Sequence, residues 1–210
     1  MAILSFDEII KLLILTVALG YIFSGFIQKP RDVLDYLRPF PAFDNIKYAA
    51  IIVAPAIILH ELAHKAVGLY FGFDAVLGIS TIGLGLGVVL RFIKSPIIFF
   101  VPAFVISTGA AAFPAKFALL ALAGPATNFI LYWLSDWALI SRNWPKYNHA
   151  FIVSRRINIW LLILNMIPFG FFDGAKVLKG NPTLYLAVVL IGGLLIYRNE
   201  QKWKNYAQKF

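Results

Sequence analysis

Five stretches of this chain are apolar and long enough, or nearly long enough, to cross a lipid bilayer, and they constrain the fold more than any other feature. The hydrocarbon core of a bilayer is spanned by about 20 residues of helix. Backbone amides in hydrocarbon need internal hydrogen bonds, so apolar stretches of this length fold as helices. We therefore predict an all-α polytopic membrane protein with five or six transmembrane helices. The stretches, of which the last is the shortest, are 9–27, 48–73, 116–140, 155–178 and 182–197.

The composition agrees with a membrane protein and excludes the soluble globular class. Hydrophobic residues make up 60% of the chain and charged residues only 14%, with a mean hydropathy of +0.80. The net charge of +9 could indicate nucleic acid as a partner, but the basic residues concentrate in short connections and in the C-terminal tail. Lipid headgroups and cytoplasmic loops favour this distribution. We expect the lipid bilayer as a partner, no nucleic acid, and a cytoplasmic C-terminus.

The first apolar stretch is expected to be retained as a membrane helix rather than removed as a signal peptide. Acidic Asp7 and Glu8 precede it, with no basic region before it and no small-residue cleavage site after it. A polar connection with three prolines, 28–47, then separates it from the second stretch.

The region from 75 to 113 admits two interpretations. Four glycines between Gly78 and Gly87 weaken a helix by about 1 kcal/mol each relative to alanine. Beyond them, the β-branched and aromatic runs 88–93 and 97–106 flank a connection typical of a hairpin, Lys94-Ser95-Pro96. We favour a re-entrant or membrane-edge β element between the second and third helices, because non-helical backbone is tolerated at membrane depth where protein or water shields it. A sixth transmembrane helix is the alternative.

Two histidines one helical turn apart lie inside the second apolar stretch, in the sequence His60-Glu61-Leu62-Ala63-His64. On a helix their side chains share one face, so both imidazoles can reach a single ion. In this HExxH pattern the imidazoles bind Zn²⁺ and the glutamate acts as general base. Ionisable residues at membrane depth are costly and usually have a partner, for which a metal ion is the best candidate. An incidental pair of buried histidines is the alternative.

A hydrolytic zinc site takes three protein ligands, and a chain without cysteine must supply the third from a carboxylate or another histidine. His149 and the other aspartates fall in loops or at helix ends. Asp173 differs because it follows the apolar run 157–172, and we predict it as the third ligand. If 116–140 is the only helix between them, the second and fourth stretches run parallel and place His60 and Asp173 at comparable depths.

Pro168 and Gly170 precede Asp173 and favour an interruption of its helix. Proline removes a hydrogen bond of the helix and glycine permits unusual backbone angles, so the chain can turn the carboxylate towards the metal. An ordinary proline kink, which is common in membrane helices, is the alternative.

Together these residues resemble the two-part signature of the site-2 protease family of intramembrane zinc metalloproteases, HExxH and NxxPxxxxDG. The second part is matched by Asn165-Met166-Ile167-Pro168-Phe169-Gly170-Phe171-Phe172-Asp173-Gly174, and the family's glycine-proline-asparagine element resembles Ala123-Gly124-Pro125-Ala126-Thr127-Asn128. The chain departs from the pattern at Phe172 and Ala175, where members often carry leucine and glycine. We accordingly divide it into an N-terminal transmembrane helix and loop, a catalytic transmembrane core, and a C-terminal helix with a basic tail: 1–47, 48–178 and 179–210.

The resemblance implies one Zn²⁺ per chain, with Glu61 as catalytic base and three ligands, His60, His64 and Asp173. It also implies regulated intramembrane proteolysis by a multi-pass enzyme of the cell membrane, whose substrate is a transmembrane segment of another protein. We expect substrate binding or support of the site from three further residues, Asn128, Asn165 and Pro168. Asparagines at membrane depth also serve as contacts between helices. The alternative function is that of a non-proteolytic metal-binding membrane protein, a transporter or assembly factor; a structural helical bundle is the third.

Overall fold

The computed structural model describes residues 4–31, 42–95 and 103–207, and most of them are helical. Short 3₁₀ turns at Ala110–Ala112 and Pro145–Tyr147 lead into the fourth and fifth helices. Along the described residues the helices and strands follow one another in the order α1 (Phe6–Phe23), α2 (Ala42–Tyr70), β1 (Asp74–Ile79), α3 (Thr81–Phe92), β2 (Ala103–Thr108), α4 (Pro114–Ser141), α5 (Asn148–Asn165), α6 (Asp173–Gly180) and α7 (Pro182–Ala207).

Three of these helices are long and apolar enough to cross a membrane, within the part of the chain that the structure describes. They are α2 over Phe43–Tyr70, α4 over Pro114–Ser141 and α7 over Pro182–Lys204. α1 is 18 residues long but carries three charged residues in its first turns, and α3, with 12 residues, is shorter than a span. The helical class and three of the spans agree with the sequence, whereas a total of five or six stays a prediction.

α2, α4 and α5 pack side by side in alternating directions. His60 of α2 faces Gly124 of α4, while His64, one turn later on α2, hydrogen-bonds to Leu120, one turn earlier on α4. The contacts between α4 and α5 run in the same opposed sense. α2 and α5 therefore run parallel, with α4 between them. This is the arrangement that the sequence analysis needed to place His60 and Asp173 at comparable depths.

A two-stranded sheet lies between α2 and α4, in the region where the sequence predicted a β element. β1 and β2 pair antiparallel, from Asp74 opposite Thr108 to Ile79 opposite Ala103. The two strands are connected through α3, which packs against α1. The sheet thus joins the end of α2 to the segment that enters α4.

The predicted strand positions were partly wrong. Residues 88–93, expected as a strand, form the second half of α3 and its C-terminal cap. The Ser80 side chain accepts the N–H of Gly83 at 3.0 Å and caps the start of α3, and such a cap favours helix over the local preference of β-branched residues. Of the run 97–106, residues 103–106 lie in β2, while 96–102, including part of the expected hairpin connection, lie outside the described residues.

The fourth apolar stretch is not one continuous helix. α5 begins seven residues earlier than expected and ends at Asn165, and α6 begins at Asp173 after a break. Gly170 within the break has a φ of 67°, in the left-handed region that L side chains rarely adopt. The interruption indicated by Pro168 and Gly170 is therefore present, and it separates Asp173 from the helix that precedes it.

α7 is held near both of its ends and stands apart in between. Near its start, the Tyr185 hydroxyl donates to the Met166 carbonyl at 3.0 Å. Near its end, Glu200 pairs at 2.7 Å with Arg155 of α5, which also pairs at 2.9 Å with Asp136 of α4. Between these points an apolar cavity of about 600 Å³ separates α7 from α4 and α5.

Candidate metal centre

Three buried side chains from α2 and α6 converge on one point. The Nε2 atoms of His60 and His64 are 3.0 Å apart, and Oδ2 of Asp173 lies 3.2 Å from the first and 3.1 Å from the second. The two histidines lie on α2, and Asp173 is the first residue of α6, 113 positions from His60. The structure thus brings together the three residues that the sequence singled out, in a group that could hold a metal ion.

The outer nitrogens of the two rings, the Nδ1 atoms, each carry a hydrogen. Nδ1 of His64 lies 2.8 Å from the carbonyl oxygen of Leu120, which can only accept, so Nδ1 donates its hydrogen there. Nδ1 of His60 lies 2.6 Å from Oδ1 of Asn128 and donates in the same way. Metal ligation requires neutral imidazoles, and neutral rings with their hydrogen on Nδ1 direct their Nε2 lone pairs at the carboxylate of Asp173. In that state no hydrogen lies among the three converging atoms, so the arrangement is repulsive unless a cation lies between them.

The space between these three atoms fits a zinc ion. With zinc bonds of about 2.0–2.1 Å in a tetrahedral site, neighbouring ligand atoms are about 3.3–3.4 Å apart, close to the separations found here. Two imidazole nitrogens and one carboxylate oxygen also form a ligand set that catalytic zinc sites use. Gly124 of α4 faces the same space, and a Cβ on it would overlap the Nε2 atoms of both histidines. The absence of a side chain at Gly124 keeps this space open.

The break before α6 orients the aspartate. Gly174 packs against the end of α5, where a Cβ would overlap the carbonyl group of Met166, and Lys176 binds Oδ1 of Asp173 at 2.9 Å. Oδ2 is thereby left towards the histidines. The Lys176 ammonium on Oδ1 favours the ionised form of this carboxyl. This is the form in which a carboxylate binds a metal.

Glu61 is buried beside the two histidines on α2, but its carboxylate is not one of the three converging groups. A carboxylate that lies near a metal position without occupying it is available to take up a proton.

The three further residues predicted at the site differ in what they contact. Asn128 is completely buried and binds the outer nitrogen of His60, so it directly supports one of the three converging side chains. Asn165 donates to the carbonyl of Leu161 on its own helix at 2.9 Å, and Pro168 is exposed in the break. Substrate binding by Asn165 and Pro168 stays a prediction.

Several polar residues around the site were missed by the reasoning from sequence. Asn158 of α5 contacts Asn128, and Lys65, the neighbour of His64, forms a buried ion pair with Glu8 of α1. The signal for both was present, since isolated polar residues in apolar helices usually have partners. Lys176 follows the predicted ligand Asp173 by one helical turn, a spacing that brings side chains together.

The chain is similar to a curated protein of Methanocaldococcus jannaschii that bears the name "Putative zinc metalloprotease". The two are 31% identical over 197 residues, which cover 90% of this chain and 93% of that protein. The similarity therefore includes the region from α2 to α6 and with it the three converging side chains. No protein-family model matches the chain, and no solved structure matches it.

Proposed function

The chain belongs to the same family as this Methanocaldococcus jannaschii protein, and from that premise we propose that it is a zinc metalloprotease of the site-2 type. Its reaction is the hydrolysis of peptide bonds within transmembrane segments of client proteins. The observation that carries the proposal is the convergence of three buried side chains, His60, His64 and Asp173, with the Glu61 carboxylate beside them. The two histidines and Glu61 lie on a helix long and apolar enough to cross a membrane.

The residues of the site divide the work of hydrolysis among them. When bound, zinc supplies a Lewis acid that polarises a carbonyl group and lowers the pKa of water to about 7. Glu61 accepts the proton of the attacking water and returns it to the departing amine. Burial keeps bulk water away and strengthens the electrostatic interactions of these groups. The ion would be held by His60, His64 and Asp173.

The substrate we propose is a membrane-spanning helix of another protein. Amides in a helix are already hydrogen-bonded, so the client must unfold locally before its carbonyl can reach the site. Helix-breaking residues in the client should therefore promote cleavage. Cleavage of this kind in the cell membrane would amount to regulated intramembrane proteolysis.

The test replaces Glu61 with glutamine in proteoliposomes that also contain a single-span client with a Gly-Pro pair at mid-span. Glutamine keeps the shape of the side chain but cannot take up the proton, so cleavage should fall by about 10²- to 10⁴-fold, the usual contribution of a general base. Zinc content, measured by atomic emission, should stay at the parent value. Fragments are quantified by mass spectrometry.

Two controls sharpen this experiment. A client with Leu-Leu in place of Gly-Pro should be cleaved more slowly by the parent, because its helix resists unfolding. If Glu61→Gln retained its zinc and cleaved at the parent rate, Glu61 would not be the base. A parent that binds zinc but cleaves no client would favour the passive metal site of a transporter or assembly factor, which needs the three ligands but not this carboxylate.

A further inference from the structure

Asn158 is a buried polar residue that the proposed reaction does not use. It lies on α5, is only 1% exposed, and has no direct hydrogen bond to a converging group among those the structure shows. Its contact is with Asn128 of α4, the residue that binds the outer nitrogen of His60. Asn158 is therefore connected to the metal centre through one intermediate side chain.

The hydrogen bonds around the two asparagines determine how each amide group is turned. The Nδ2 of Asn158 donates to the backbone carbonyl of Ser154 at 2.9 Å, and a carbonyl can only accept, so the Oδ1 of Asn158 faces Asn128. The Nδ2 of Asn128 donates to that oxygen at 2.9 Å and to the carbonyl of Ala56 at 3.0 Å. Both hydrogens of the Asn128 amide are thus used, and its Oδ1 is left towards His60.

The orientation of the Asn128 amide determines the tautomer of His60. With Oδ1 towards the ring, Nδ1 must carry the hydrogen, and the lone pair lies on Nε2, where the three groups converge. With the amide reversed, its NH₂ would donate to Nδ1, the ring hydrogen would move to Nε2, and Nε2 could no longer bind a metal. Two acceptors oppose the reversal: Ala56 O and Asn158 Oδ1.

We propose that Asn158 is a positioning residue of the metal centre, which acts through Asn128 to hold His60 in the tautomer that presents Nε2 to zinc. The inference rests on the zinc centre of the proposed function, but not on proteolysis. The proposed role is more than that of a contact between helices, because each donor in the hydrogen-bonded series His60–Asn128–Asn158–Ser154 points away from the metal position. A contact that only holds two helices together does not require its donors to point in one direction.

The experiment is a double-mutant cycle on zinc affinity, measured by competition with a chromophoric chelator on the full-length protein in detergent. Loss of an outer partner of a ligating histidine lowers metal affinity by about 10- to 100-fold. We expect Asn128→Ala to fall in this range and Asn158→Leu, one contact further away, to weaken binding by about tenfold. The double variant should bind no more weakly than Asn128→Ala, because Asn158 acts only through Asn128.

A matched control uses the same substitution on the same helix. Asn148 lies at the start of α5, and its Oδ1 has no hydrogen-bond partner among the described residues, so Asn148→Leu should leave zinc affinity unchanged. If Asn158→Leu does not fold, Asn158→Ala takes its place, since it removes the same acceptor without added bulk.

A purely structural role predicts a different result. It would lower the thermal stability of the metal-free protein while leaving zinc affinity and the visible absorption band of the Co²⁺-substituted protein as in the parent, and this would overturn the inference. Independent losses that multiply in the double variant would also overturn it. If the parent protein bound no zinc, the proposed metal centre itself would be wrong. That outcome differs from a parent that binds zinc with an affinity that replacement of Asn158 does not change, which would contradict only the role of Asn158.

Discussion

At the level of single residues, the space between the three converging side chains depends on a glycine, which has no side chain. Gly124 is the point at which α4 faces the two histidines, and any Cβ there would occupy the position where their Nε2 atoms meet. Glycine within a helix normally lowers the stability of the helix by about 0.5–1 kcal/mol relative to alanine. At Gly124 this loss leaves space beside the two histidines. Replacement by alanine should therefore affect zinc binding at Gly124 and not at glycines that face open space.

Gly124→Ala is expected to abolish zinc binding while leaving the chain folded. The added methyl group overlaps both imidazoles, which must turn away from Asp173. Gly192→Ala on α7 is the matched control, because a Cβ there meets no heavy atom within 4 Å. Zinc per chain, measured by atomic emission, should be near zero for the first variant and equal to the parent for the second. Full zinc content in Gly124→Ala would contradict the position assigned to the metal.

The sequence was sufficient to predict which three residues meet, but not the contact between Asn128 and Asn158 beside them. The spacing of His60 and His64 alone puts them on one helix face, and Asp173 was the aspartate that follows an apolar run. The contact between Asn128 and Asn158 depends on how α5 is rotated against α4. No spacing within either helix determines that rotation, so this contact could not be read from the sequence.

At the level of elements, one carboxylate of α1 contacts both the sheet and α2, the helix that carries His60 and His64. Glu8 is 2% exposed, pairs with Lys65 of α2, accepts the N–H of Leu77 in β1 at 2.8 Å and completes the capping box with Ser5. A single side chain therefore joins three elements. Lys65 directly follows His64, so this junction lies next to the candidate metal centre.

Glu8→Gln should lower the free energy of unfolding by about 3–5 kcal/mol, because it leaves the Lys65 ammonium buried without its anion. The matched control is Asp7→Asn, one residue earlier on the same helix. The Asp7 side chain is 70% exposed and pairs with Lys11 one turn away, a type of pair worth about 0.3–0.5 kcal/mol. Both values are measured by denaturant titration in mixed micelles at neutral pH.

The pH dependence of this difference provides a check. Burial by itself would raise the pKa of Glu8, but the Leu77 N–H, the Lys65 ammonium and the Ser5 N–H lower it from its ordinary value of 4.5 to about 2. Since the folded pKa lies below the unfolded one, the stabilisation is complete above pH 4.5 and is lost as the pH falls towards 2. The gap between parent and Glu8→Gln should shrink over this window; a constant gap would exclude the ionised pair as its cause.

The elements between α2 and α4 show where prediction from local preference fails. The β-branched residues 88–93 predicted a strand, yet they are helical because Ser80 caps α3 and because β1 takes its partner from beyond that helix. A capping residue can be recognised in the sequence, but the pairing of β1 with β2 across 23 intervening residues depends on tertiary contacts, which local preferences do not determine. Helices, whose hydrogen bonds are local, were predicted more accurately.

At the level of the whole molecule, Arg155 joins α4, α5 and α7. It neutralises Asp136, which is 2% exposed, and Glu200 on α7. Arg155→Met should lower the free energy of unfolding by about 3–5 kcal/mol, since Asp136 keeps a buried charge without its cation. Arg156→Met, at the exposed neighbouring position, should change it by no more than about 0.5 kcal/mol. Equal effects of the two variants in denaturant titrations would show that the Arg155 pairs contribute nothing specific.

The long sequence separation within the metal site has a consequence for how the protein is made. His60 and Asp173 are 113 positions apart, so at ribosomal rates of about 5–20 residues per second His60 is synthesised about 6–23 s before Asp173. During this interval the nascent chain carries two of the three converging side chains. If these side chains hold a metal, their set is complete only once Asp173, in the last fifth of the chain, has been synthesised.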